Sequence, residues 1–165
     1  MSVAGRSKLA GALAVAVWLG MGSVGVSASH GRPASIEERT RGAQKVVVAR
    51  ARAVNAAWRT NIHGDRLIVS RVVLDVEESL KGASPASVSM EIAGGTIDGV
   101  TLRVSGVPQI HPGERGVFFL DESAPTVYTP HLDGDSILML DAGDVADGTT
   151  LRLQDLRRAV RAVAR

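Results

Sequence analysis

The stretch GGTIDGVTLRVSGVPQIHPGERGVFFL, Gly94 to Leu120, limits what this chain can fold into more than any other. Gly94-Gly95 and Asp98-Gly99 are breaker pairs. Between them and Gly106, the residues Val100, Leu102 and Val104 alternate with Thr101, Arg103 and Ser105, the period of a half-buried strand. Gly106 to Gly116 then reads as a long connection marked by Pro108 and Pro112, and Val117 to Leu120 is a short apolar run suited to a central strand. A chain that changes direction this often within one stretch belongs to a β-rich domain with short strands.

The flanking sequence has the same period. Lys45 to Trp58 predicts a first strand, with Val47, Ala49, Ala51 and Ala53 on one face and Val46, Val48, Arg50, Arg52 and Val54 on the other. The small residues are expected to face inward. Asn61 to Asp65 is the turn and Leu67 to Leu80 the return strand, a long hairpin ended by Lys81-Gly82. Val88, Met90 and Ile92 mark a third strand; Asp121 to Pro125 reads as a turn, with short strands at Val127-Tyr128 and Ile137 to Leu140.

Two helices are expected at the ends of this β region. Ser35-Ile36-Glu37-Glu38 fits a capping box, starting a short helix that runs to about Ala43. Near the C-terminus the period changes: Leu153, Leu156, Val160 and Val163 make one apolar stripe, with Thr149 or Thr150 as a candidate cap and arginines elsewhere on the surface. Such a helix packs on its own sheet or docks on a membrane surface or partner.

The N-terminal residues carry a targeting signature. Arg6 and Lys8 precede the uncharged stretch Leu9 to Val26, and Val26-Ser27-Ala28 places small residues where a signal peptidase reads. The expectation is a Sec-type signal over residues 1–28, a tether over 29–34, a β domain over 35–148 and a C-terminal helix over 149–165. The alternative is an uncleaved anchor, because the apolar run is near the lower length limit for a span. After cleavage no stable membrane span is expected, and the location is periplasmic or secreted.

Cleavage also changes the charge. The chain has 19 basic and 17 acidic residues; losing Arg6 and Lys8 leaves 17 of each, so the remainder is neutral. A nucleic-acid partner is therefore not expected, since such binding relies on a basic excess. The charges are sorted along the chain, with basic residues concentrated between Arg39 and Arg71 and only acids between Gly116 and Leu151. That pattern means either internal pairing or a patch for an anionic partner. If a patch exists, Arg50, Arg52, Trp58 and Arg59 are its candidate binding residues.

No chemistry-bearing motif stands out. Cysteine is absent, so thiolate metal sites and thiol nucleophiles are excluded. His30, His63, His111 and His131 are scattered, and nucleophile-elbow, Walker and zincin patterns do not occur. No catalytic residue and no cofactor are expected. His131-Leu-Asp133-Gly-Asp135 is a metal-like cluster, yet it lacks the further carboxylates of a calcium loop, and Asp-Gly is common in hairpin turns. Asp133 and Asp135 are the candidate metal residues.

The order VVVARARAV, SRVVLDVEESLKG and VSMEIAGGTIDGVTLRVSGVPQIHPGERGVFFL resembles a widespread group of bacterial secreted domains. Their layout is similar to the OB-like barrel of netrin and tissue-inhibitor-of-metalloproteinase domains. The resemblance covers roughly Ser35 to Leu140 and implies a mainly β fold, a five- to six-stranded barrel flanked by a short N-terminal and an amphipathic C-terminal helix. The inhibitors' zinc-chelating N-terminal cysteine has no counterpart here, so that mechanism does not carry over. The expected role is a secreted, non-enzymatic binding or accessory module with a protein partner in the envelope or outside the cell; the alternative is a small envelope hydrolase or protease inhibitor.

Overall fold

A computed structural model describes residues 33–165. The expected signal segment and most of the tether fall outside the described residues.

Helix α1 (Ile36–Gly42) starts as the capping box requires: Glu38 N donates to Ser35 Oγ at 3.2 Å, and Ser35 N donates to Glu38 Oε2 at 2.7 Å. Strands β1 (Lys45–Thr60) and β2 (Arg66–Lys81) form the long hairpin. Then come β3 (Ser87–Ala93), β4 (Gly95–Ile97), β5 (Val100–Leu102), β6 (Arg115–Ala124), β7 (Val127–Pro130), β8 (Ile137–Leu140) and helix α2 (Leu153–Val163).

The protein is mainly β. Its six-stranded sheet has the order β1-β2-β3-β7-β6-β8, and β6 also pairs with β1. Each of β1, β2, β3, β7 and β6 therefore has a neighbour on both sides. Most pairings are antiparallel; β3 and β7 run parallel through Ser89↔Val127 and Met90↔Tyr128.

Two apolar clusters share these strands. On the inner side, Val47, Ala49, Val72, Leu74, Met90 and Phe118 are among the buried residues. On the outer side, Val46, Val48, Val117 and Phe119 pack against Leu153, Leu156 and Val160 of α2. Adjacent residues of one strand point to opposite faces, which sends Phe118 to one cluster and Phe119 to the other. The α2 stripe is thus buried against its own sheet.

Four details depart from the sequence pattern. The β1–β2 register shifts between Ala51 and Ala53, leaving Arg52 as an extra residue, so beyond it Val54 rather than Ala53 packs against the inner cluster. Val100 to Leu102 does not join the main sheet. It forms a separate two-stranded hairpin with β4, turned by Asp98 (φ 50°) and Gly99 (φ 76°), and Val100 is exposed. Strand β6 runs on to Ala124 through the segment that reads as a turn. Arg152, with no side-chain capping bond, takes the N-cap of α2, while Thr149 Oγ1 donates to Ala146 O at 2.7 Å.

Candidate functional site

Residues 94–113 form a strap that leaves β2 and returns to β1. One end is fixed at β2, where Gly94 N donates to Ile68 O at 2.8 Å and Ser70 Oγ donates to Gly94 O at 2.7 Å. The other end is fixed at β1, where Gly113 N donates to Ala51 O at 2.7 Å and Arg50 Nη1 donates to Gly113 O at 2.8 Å. Between them Gly106 meets a 3₁₀ turn, Asp133–Ser136: a β-carbon on Gly134 would overlap the Gly106 carbonyl.

Beneath the strap lies a cleft of about 530 Å³. That volume is within the roughly 300–1,000 Å³ range of small-ligand and side-chain sites. Val54, Ile92, Leu102, Val107 and Ile110 give it apolar walls, and Arg103, Gln109 and His111 add polar groups. Among the described residues, no Asp, Glu, Phe, Tyr or Trp lines it. Arg103 has no acid within ion-pair distance among the described residues. The Glu114 carboxylate accepts from the His111 backbone N at 2.7 Å.

Of the arginines singled out from the sequence, two are paired internally. Arg50 Nε lies 3.3 Å from Glu77 Oε1, and Arg52 Nη1 lies 3.3 Å from Asp75 Oδ1. Trp58 stacks with Arg66, whose Cζ is 4.8 Å from the indole centroid. Arg59 is exposed near the end of β1. Arg50 and Trp58 are eight positions apart along β1, roughly 25 Å, so these side chains do not converge on one point.

Elsewhere the same pairing holds. Arg115 reaches Glu77 at 2.5 Å and also Asp144. Burial works to lower the Arg115 pKa, but hydrogen bonding and charge from Glu77 and then Asp144 outweigh it, and the net direction is upward. Arg157 and Arg161 both bind Glu78, at 2.7 and 2.6 Å. The paired arginines of the basic segment, Arg50, Arg52 and Arg71, thus meet Glu77, Asp75 and Glu91 of β2 and β3, outside the acidic segment.

Asp133 and Asp135 are exposed on the 3₁₀ turn, and His131 points instead to Asp121, with Nδ1 2.6 Å from Oδ2. Among the described residues, no three His, Cys, Asp or Glu side chains are grouped to hold a metal ion. Asp135 exerts its charge on Arg39, a buried guanidinium whose pKa is lowered by burial and raised less by that carboxylate. Nε of Arg39 has no hydrogen-bond partner among the described residues.

The cleft itself was not foreseen from the sequence. Its signal was the Gly94-Gly95 pair followed by a proline-marked segment too long for a tight turn. The fold and site define a mainly β domain with a ligand-sized, mostly apolar cleft under a strap pinned at both ends. No protein-family model matches the chain, and a search of curated proteins finds no match. Among the described residues, no helix is long and apolar enough to cross a membrane.

Proposed function

We propose that the chain is a secreted, non-enzymatic binding module, an OB-like barrel that receives an extended segment of a partner protein at the strap cleft. The observation that carries this reading is the cleft's position beside an unpaired strand edge. From Ala53 to Thr60, β1 pairs with β2 alone among the described strands, and Val54 and Ala56 of that segment line the cleft. An open strand edge supplies backbone donors and acceptors for an added strand, and the apolar cavity beside it accepts alternate side chains.

The OB-like reading is supported by the cyclic pairing of β1, β2, β3, β7 and β6, since an OB-fold is a five-stranded, partly open barrel. The secreted reading is supported by the order of Arg6 and Lys8, Leu9 to Val26 and Val26-Ser27-Ala28. A protein is favoured over single-stranded nucleic acid because, among the described residues, the cleft lining has no Phe, Tyr or Trp on which successive bases could stack.

Photo-crosslinking tests the site. A benzoylphenylalanine at Gln109, on the cleft lining, is expected to give one discrete protein adduct in the secreted fraction; the same group at the exposed Gln154 of α2 is not. Equal adducts at both positions, or none at Gln109, would remove the assignment. The mass of the recovered protein tests cleavage near Ala28.

A further inference from the structure

Resting on that reading, we infer that the segment received at the cleft is apolar with an acidic side chain within two residues of its anchor, the acid meeting Arg103. Among the described residues, the walls carry no carboxylate that an apolar side chain would have to leave unpaired. Val54, Ile92, Leu102, Val107 and Ile110 surround the cavity, and no carboxylate is on its lining.

Arg103 differs from four arginines of the sheet. Arg50, Arg52, Arg71 and Arg115 each have a carboxylate within ion-pair distance, so their charge is answered within the chain. Arg103 lines the cleft, is exposed, and has no acid within that distance among the described residues. A guanidinium presents paired donors in a planar fork that a carboxylate matches, giving orientation as well as attraction.

Register limits where the acid can lie. In a strand added to the β1 edge, side chains alternate between the cleft and the opposite side. An apolar residue seated near Val54 and Ala56 therefore has its next cleft-facing neighbours two positions away, on a lining that includes Arg103. Glu114, whose carboxylate is held at the His111 amide, disfavours a second carboxylate at the Pro112 end by like-charge repulsion. Both features select an acid toward Arg103.

The test uses the immobilised protein and a random hexapeptide library with amidated C-termini, the bound pool being sequenced by mass spectrometry. Peptides with Asp or Glu within two positions of Leu, Ile, Val or Phe are expected to be enriched about fivefold, the scale of one partly exposed ion pair. Arg103→Gln should abolish that enrichment, and Arg103→Glu should turn it toward Lys and Arg. Arg158→Glu, which alters an exposed arginine of α2 on neither the cleft nor the β1 edge, should leave it unchanged. Enrichment of apolar peptides without any acid preference overturns the inference and leaves the peptide-binding reading standing. Failure to enrich any peptide overturns both, and protection by dodecanoate in a thermal melt would then assign the cleft to a small amphiphile.

Discussion

Gly95 lies against Ser70 with no room for a side chain between them: a β-carbon on Gly95 would overlap the Ser70 hydroxyl oxygen. Gly95 also has φ of 133°, a region that residues with a side chain rarely adopt. The strap can therefore descend onto β2 only where a glycine follows Gly94.

Gly95→Ala is expected to destabilise the domain by about 1–3 kcal/mol from backbone strain alone, with the overlap adding to it. Ser70→Ala removes the bond to Gly94 O and should cost about 1–3 kcal/mol, because that buried carbonyl loses its hydroxyl donor. In the double variant the overlap is relieved, so its loss should be smaller than the sum of the two single losses. Urea denaturation of the three variants measures this. Additive losses would mean the two residues do not press on each other.

Arg115 and Arg52 provide a contrast between a partly buried and an exposed ion pair. The Arg115 side chain is 22% exposed and bridges Glu77 and Asp144; that of Arg52 is 60% exposed and faces Asp75 alone. Arg115→Met should cost about 1.5–3 kcal/mol, the range for hydrogen bonds to charged groups, while Arg52→Met should stay below about 1 kcal/mol. Urea midpoints at low and high salt separate them. Equal losses at both positions would show that exposure does not govern these pairs.

Local rules made much of this fold legible, and long-range contacts hid the rest. The Ser35–Glu38 capping box, the Ile137 to Leu140 strand and the Leu153, Leu156, Val160 stripe each depend on residues within a turn or a strand, and each forms as the pattern requires. Val100, Leu102 and Val104 have the period of a sheet strand, yet Asp98-Gly99 folds Val100 to Leu102 back on β4 before it reaches the sheet. The extra residue at Arg52 changes which face Val54 takes, and no local signal distinguishes it from a regular strand position. Thr149 has a hydroxyl suited to capping, but it is already committed to Ala146 O. The cleft depends on Gly94, Gly113 and Gly106 meeting Ser70, Ala51 and Gly134, contacts that residue spacing does not encode.

Leu156 sits at the centre of the outer cluster and is fully buried with Val46, Val48, Val117 and Phe119. Leu156→Ala should destabilise the domain by about 2–5 kcal/mol, as buried leucine truncations do. Arg158→Ala, on the exposed side of the same helix, should change stability by less than about 0.5 kcal/mol despite losing the 3.4 Å contact to Asp155. Chemical denaturation compares the two, and hydrogen exchange of the α2 amides reports whether the helix loosens first. A neutral Leu156→Ala would show that α2 is not needed to close the outer face.

Tyr128 is the chain's single tyrosine, so absorbance at 295 nm reads its ionisation without interference from another phenol. It is 3% exposed in the inner cluster, and burial, followed by the charge of Glu122, pushes its pKa above the usual value of 10.0. The folded protein thus disfavours phenolate relative to the unfolded chain. Stability from this group is complete below the unfolded value and is lost as pH rises through the folded one. A native titration midpoint above that of the protein in urea is expected, with a decline in unfolding free energy that begins near pH 10. Tyr128→Phe should flatten that decline. A native midpoint equal to or below the unfolded one would contradict the placement of Tyr128 in the inner cluster.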